Sequence, residues 1–170
     1  AQIINGLVLN SGETFSYNDV LGERTADKGY QPAGAYSDGE VVEQLGGGIC
    51  QVSSTLFAAV LHTDLEILTR ANHSMPVSYL PMGMDATVSW GGPEFKFKNN
   101  FAYPIKISAS YSGGTITFKI LGAASDKKKI EVEIKKAGEM SAETYRKYYD
   151  ENGNVTSTKR VARSNYKPHS

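Results

Sequence analysis

The chain has 170 residues, enough for one domain with its own core and a small addition. Lysine plus arginine and aspartate plus glutamate stand at 18 each, so no net field steers the chain toward nucleic acid or an anionic membrane. No apolar run approaches the roughly 20 residues that cross a bilayer, and a single cysteine cannot form an internal disulfide. The first residue is Ala1 and no signal-peptide pattern follows, so the chain is read as a piece of a longer protein whose export signal or anchor lies outside it. Any link to a membrane would run through that missing anchor.

The opening AQIINGLVL reads as the end of a helix that stops near Asn5-Gly6. Asn10-Ser11-Gly12 is a turn signal, and Thr14 to Tyr17 is a short strand candidate. From Glu23 to Gly48 the chain is glycine-rich and polar, read as structured loop with short strands such as Glu40 to Gln44. After Cys50 the pattern becomes helical: Val52, Leu56, Phe57, Val60 and Leu61 form one apolar face that ends near Thr63. Leu65 to Thr69 reads as a strand, and a proline-punctuated connection leads to another at Ala86 to Trp90.

PEFKFKNN, PIKISASY and TITFKIL then alternate apolar and polar side chains, the period of half-buried strands. Ser112-Gly113-Gly114 suits a tight hairpin between the last two. A polar linker, AASDKKK, precedes KIEVEIKK and a hairpin turning at Asn152-Gly153. The expected class is α+β: mostly antiparallel sheet with a central helix beginning at GGGIC, plus a C-terminal β-hairpin appendage. The expected division is a main domain over 1–121 and a linker with a small β tail over 122–170.

GGGICQVSS, residues 46 to 54, holds the only cysteine. Three glycines allow backbone angles closed to other residues and let a second chain come close. Cys50 follows at the start of the helix, where unpaired amides and the positive dipole end stabilise a thiolate. The same amides can hold an oxyanion. A free cysteine is also commonly a small buried hydrophobe, so both readings stand on the residues alone. The lysine and Ser/Thr of a phosphate-binding P-loop are absent, and no His or Cys pair has metal-ligand spacing, so neither nucleotide, cofactor nor metal is expected.

A cysteine nucleophile needs a base, normally histidine. His62 falls about twelve residues along the helix from Cys50, roughly 18 Å away, and reads as a helix-end residue. His169 sits in the terminal tail. His73, in RANHSMP beyond the following strand, can return alongside Cys50, although a hydrogen-bonded loop histidine is the simpler alternative. Asp85 is the leading candidate to orient it, with Asn72 and Asn99 as weaker options. Gln51 and Ser53 could assist substrate or oxyanion, or merely cap the helix.

IINGLVLNSGETFSYNDVLGERTADKGY, GGGICQVSSTLFAAVL, HSMPVSYLPMGMDATV and FKFKNNFAYPIKI, in that order, resemble the VanW-like domain over roughly residues 1 to 121. More weakly, the tail resembles the segment that follows this domain in longer members, where β modules of the G5 type can occur. The resemblance implies a secreted or membrane-anchored protein at the outer face of a Gram-positive cell, of a family named from glycopeptide-resistance gene clusters. It implies a cysteine-dependent L,D-transpeptidase that crosslinks peptidoglycan stem peptides. It places the nucleophile on Cys50, the histidine on His73 and the aspartate on Asp85, with Gly47, Gly48, Gln51, Ser53 and Ser74 around oxyanion or substrate. A non-catalytic module that grips stem peptides is the alternative expectation, and a purely structural β domain with Cys50 buried is a third.

Overall fold

The computed structural model describes residues 4–21, 32–37, 40–45, 49–73, 82–88, 92–112, 115–123 and 128–167, with backbone alone for 21, 32–37, 40–45, 49–51, 111–112 and 115. Among them β1 (Leu7–Leu9), β2 (Thr14–Ser16), α1 (Tyr17–Leu21), β3 (Pro32–Ser37), β4 (Glu40–Leu45) and α2 (Ile49–Leu61) come first. They are followed by β5 (Glu66–Thr69), β6 (Lys96–Lys98), β7 (Ile105–Ser112), β8 (Thr115–Leu121), β9 (Ile130–Gly138), β10 (Ser141–Tyr149) and β11 (Val155–Asn165). Every strand pairing is antiparallel. The strands group as β1-β7-β8, β2-β6-β5, β11-β10-β9 and the hairpin β3-β4. The protein is therefore α+β and rich in antiparallel sheet. No helix among the described residues is long and apolar enough to cross a membrane.

The core follows from the two periods in the sequence. In β7, Ile105, Ile107 and Ala109 are buried while Lys106 and Ser110 are exposed. In β6, Phe97 is buried between Lys96 and Lys98 and stacks on Phe15 of β2, ring centroids 4.9 Å apart. Phe95 meets Phe57 of α2 edge to face at 5.5 Å. Leu56, Phe57, Val60 and Leu61 of α2 are all fully buried. At about 1.5–3 kcal/mol each, their burial outweighs the few tenths of a kcal/mol per residue by which Val, Ser and Thr disfavour helix. Tertiary packing, rather than propensity, holds α2.

Several expectations meet a different local structure. The anticipated N-terminal helix end falls partly outside the described residues, and Ile4–Gly6 form a turn leading into β1. The strand expected at Thr14 to Tyr17 stops at Ser16, whose hydroxyl accepts the Asp19 amide at 3.2 Å and so caps α1. β3 gives β4 a partner that the irregular composition of this region concealed.

The strand expected at Ala86 to Trp90 does not form over Ala86–Val88, and residues 89–90 lie outside the described residues. Backbone groups here bond elsewhere. The Asp85 carbonyl accepts from Arg70 Nε at 2.8 Å. The Ala86 carbonyl accepts from Ser53 Oγ at 2.6 Å and Ser54 Oγ at 3.0 Å, and the Ala86 amide donates back to Ser54 Oγ at 2.9 Å. The Thr87 amide reaches the Ala71 carbonyl at 2.8 Å. These bonds occupy the groups that a ladder would need.

In the tail, β10 and β11 pair around a turn in which Gly153 has a φ of 82°, and β9 on the other side of β10 completes a three-stranded sheet. Expected as a hairpin appendage, this sheet instead sends side chains into the rest of the fold. Ala142, Thr144, Arg146 and Tyr148 alternate along β10 and are all buried. Arg146 donates to the carbonyls of Val60, Leu61 and Leu65 at 2.8, 2.9 and 2.9 Å, closing the C-terminal end of α2. Tyr148 donates to Asp64 at 2.7 Å, and Thr144 to the Gly83 carbonyl at 2.7 Å.

Candidate functional site

His73 and Asp85 are 6 % and 1 % exposed and lie against each other. Asp85 Oδ2 accepts from both the His73 amide and His73 Nδ1, each at 2.7 Å. An ionised carboxylate only accepts, so the ring proton sits on Nδ1 and Nε2 is the basic nitrogen of the neutral imidazole. Two bonds to one oxygen fix both the backbone and the ring of His73. The ring therefore has one orientation.

The other oxygen of Asp85 faces groups that the sequence did not single out. Tyr166, just beyond β11, donates its hydroxyl to Oδ1 and accepts the Gly83 amide at 2.8 Å. The Arg70 guanidinium lies 3.5 Å from Oδ1. Its other nitrogens bond the Asp85 carbonyl at 2.8 Å and Ser164 Oγ at 2.6 Å. Its face rests on the Phe57 ring of α2, 5.0 Å from the centroid. Burial works against a charge on Asp85. The bonds from the His73 ring and amide and from Tyr166, with the Arg70 charge, outweigh it and hold the carboxyl below the ordinary aspartate range. Burial, and then the bond to Asp85, push the Tyr166 hydroxyl up, so it remains a donor at neutral pH.

Cys50 is the second residue of α2, in the turn whose amides have no partner within the helix. Ser53 and Ser54 follow by three and four positions, the spacing at which helix positions share a face. Both serines bond Ala86, next to Asp85. The helix start is thus fastened beside the carboxylate that holds His73, and Ser53 has a structural bond to Ala86 whatever else it does. Gly47, Gly48 and Ser74 lie outside the described residues, as do the side chains of Cys50 and Gln51.

The remaining candidates are elsewhere or otherwise engaged. His62 is exposed at the far end of α2, its Nδ1 2.8 Å from the Ala58 carbonyl. His169 lies outside the described residues. Asn99 bonds the Leu9 and Tyr103 carbonyls, both at 3.0 Å, and braces β1. Asn72 bonds the carbonyls of His73 and Asn165, both at 2.7 Å, steadying the segment rather than the ring. Among the described residues Asp85 is the carboxylate that orients His73. A groove of about 530 Å³ between Ala59, His62, Phe101, Phe118 and Ile120 opens near the other end of α2 from Cys50. No group of three or more His, Cys, Asp or Glu able to hold a metal occurs among the described residues.

Arg70 stood three residues from His73 and could have been noticed as a buried-cation candidate. Tyr166 and Ser164 carry no local signal, being alternate residues at the end of a long strand pattern.

No solved structure matches the chain. It is 51% identical over 116 residues to the YoaR protein of Bacillus subtilis, covering 68% of this chain and 38% of that one. It is 35% identical over 105 residues to the vancomycin B-type resistance protein VanW of Enterococcus faecalis, covering 59% of this chain and 38% of that one. The chain thus spans well under half the length of either relative. A family model described as VanW like protein matches residues 1–121, the stretch that contains Cys50, Arg70, His73 and Asp85, and the chain belongs to that family.

Proposed function

We propose that the chain is a cysteine acyltransferase of the L,D-transpeptidase type, acting on peptidoglycan stem peptides outside the cytoplasmic membrane of a Gram-positive cell. One observation carries the reading: a buried His73–Asp85 pair, on a segment that Ser53 and Ser54 fasten to the helix beginning beside Cys50. A thiol nucleophile needs an oriented imidazole near an electropositive helix start, and these are the parts of that arrangement. The vancomycin-resistance name of one relative is in keeping with a cell-wall substrate.

In this mechanism His73 Nε2 takes the proton of the Cys50 thiol. The thiolate attacks the carbonyl carbon after the third residue of a donor stem, and amides of the first turn of α2 hold the oxyanion. Collapse breaks the peptide bond, leaves a thioester on Cys50 and releases the terminal D-amino acid, whose amine receives the proton from His73. An acceptor amine from a neighbouring stem then attacks the thioester and gives its proton to His73. The products are a 3–3 crosslink and free Cys50. Water in place of the amine gives carboxypeptidation. Asp85 keeps its charge throughout and stabilises the imidazolium.

The purified chain is incubated with disaccharide-tetrapeptide and the products are weighed by mass spectrometry. Crosslinked dimer or trimmed tripeptide is expected from wild type and not from Cys50→Ala. Absence of both products from wild type, or equal amounts from Cys50→Ala, refutes the reading. Binding to sacculi without product would favour a non-catalytic stem-peptide module.

A further inference from the structure

The carboxylate that orients His73 is completed by residues far outside the family match. The match ends at residue 121, and everything the C-terminal sheet contributes lies beyond it. Tyr166 donates to Asp85 Oδ1 and accepts the Gly83 amide, so one hydroxyl pins both ends of the Gly83–Asp85 segment. Thr144 holds the Gly83 carbonyl, and Ser164 anchors the guanidinium of Arg70. Contact is close enough that a Cβ at Gly83 would stand 2.8 Å from Thr144 Oγ1. Asn72, next to His73, is tied to the Asn165 carbonyl. From the tail, β11 and its extension thus supply the partners of Arg70, Asn72, Gly83 and Asp85.

We propose that the C-terminal sheet is an integral half of the site, with Tyr166 a positioning residue that fixes Asp85 and through it sets how strongly His73 holds a proton. The ionisable groups bonded or paired to Asp85 among the described residues are His73, Arg70 and Tyr166. Tyr166 draws carboxylate charge onto Oδ1, away from the oxygen that serves His73. Without that donor the charge left for the imidazolium rises, and so does the proton affinity of His73. The tail thereby tempers the hold of Asp85 on the imidazolium, so that the base can both take up and release a proton. The proposal rests on reading His73 and Asp85 as the acid–base pair of a thiol enzyme, but its test needs no turnover.

The imidazole of His73, assigned with His73→Gln, is titrated by NMR in the whole chain, in Tyr166→Phe and in Arg146→Met. Arg146 bonds the end of α2 and does not touch Asp85, so it reports general loosening. Tyr166→Phe should raise the pKa of His73 by about half to one unit, a three- to tenfold gain in proton affinity, while Arg146→Met leaves it in place. An unchanged titration in Tyr166→Phe, or an equal shift in Arg146→Met, overturns the proposal. If Tyr166→Phe does not fold, 3,5-difluorotyrosine at position 166 keeps the volume and strengthens the donor. His73 must then titrate lower, and no change there overturns the proposal as well. A shifted titration in a chain that makes no peptidoglycan product supports the positioning role and counts against transpeptidation. Product that depends on Cys50, with an unshifted titration, does the reverse.

Discussion

Arg146→Met tests whether the C-terminal sheet holds the helix that carries Cys50. Arg146 is 3 % exposed and donates to the carbonyls of Val60, Leu61 and Leu65. The Val60 carbonyl keeps other partners, the Thr63 amide at 3.0 Å and the Thr63 hydroxyl at 2.7 Å. The loss therefore falls mainly on Leu61 and Leu65. Two buried carbonyls left without a donor cost about 1–3 kcal/mol each, and methionine recovers part of this by ending the desolvation of the guanidinium. A net loss of about 2–4 kcal/mol follows, a large share of the 5–15 kcal/mol typical of a whole domain. At about 2–4 °C per kcal/mol for a chain of this size, the midpoint should fall by roughly 5–15 °C in calorimetry. The control is Arg160→Met, whose side chain is 54% exposed and pairs with Glu143 at 2.9 Å. Solvent screens that exposed pair, so the change should leave the midpoint within a degree or two of wild type. If Arg146→Met costs no more than the control, the sheet does not brace α2 and the reasoning fails.

Three further outcomes follow from the same contacts. Ser54→Ala should destabilise more than Ser53→Ala in urea titrations, by about 1 kcal/mol, because Ser54 serves both the amide and carbonyl of Ala86 whereas Ser53 shares the carbonyl; the opposite order would contradict the clamp. Gly83→Ala, at a φ of 94° and with Thr144 Oγ1 2.8 Å from the new Cβ, should cost about 2–4 kcal/mol, and a Tm within a degree or two of wild type would show that the loop has room to give. Asp85 has a folded pKa below its ordinary 3.8, so the stability it contributes is present above about pH 4 and is lost as the pH falls through the lower folded value. Unfolding free energies measured from pH 7 to pH 3 should therefore drop below about pH 4, and less steeply in Asp85→Asn; an equal slope in the variant would refute the assignment.

The legible parts of the fold were those governed by local period. The apolar face of α2 and the alternation in β6, β7, β8 and β9 appear directly in the residue order, since each depends on side chains a few positions apart. The segment Ala86 to Val88 misled because alternation there looked like a strand. The backbone groups of Ala86 meet the hydroxyls of Ser53 and Ser54, more than thirty positions earlier. No local pattern reports a bond of that span. The same limit applied to the site. Asp85 could be inferred as the partner of His73, twelve residues away, but Tyr166 lies 81 residues beyond Asp85. The alternation of the tail showed a strand and hid which of its side chains turn inward to meet a carboxylate.

The network around Asp85 also separates two jobs that one residue could not do alone. A buried carboxylate that met only His73 would have a single strong partner, and burial would press it to share or take the proton. Here one oxygen serves the His73 amide and ring, while the other meets Tyr166 and lies near Arg70. The His73 ring and amide, then Tyr166, then the Arg70 charge hold the aspartate ionised, and Tyr166 does so without adding a second positive charge. Each is held from more than one side: Arg70 by Phe57 of α2 and Ser164 of β11, Tyr166 by the Gly83 amide at its hydroxyl and the Met140 carbonyl at its own amide. A change in the tail can therefore reach His73 along a chain of direct bonds, with no movement of Cys50 required. Loss of Tyr166 should accordingly alter the protonation of His73 before it alters the fold, whereas loss of Arg146 should weaken the fold and leave that protonation alone.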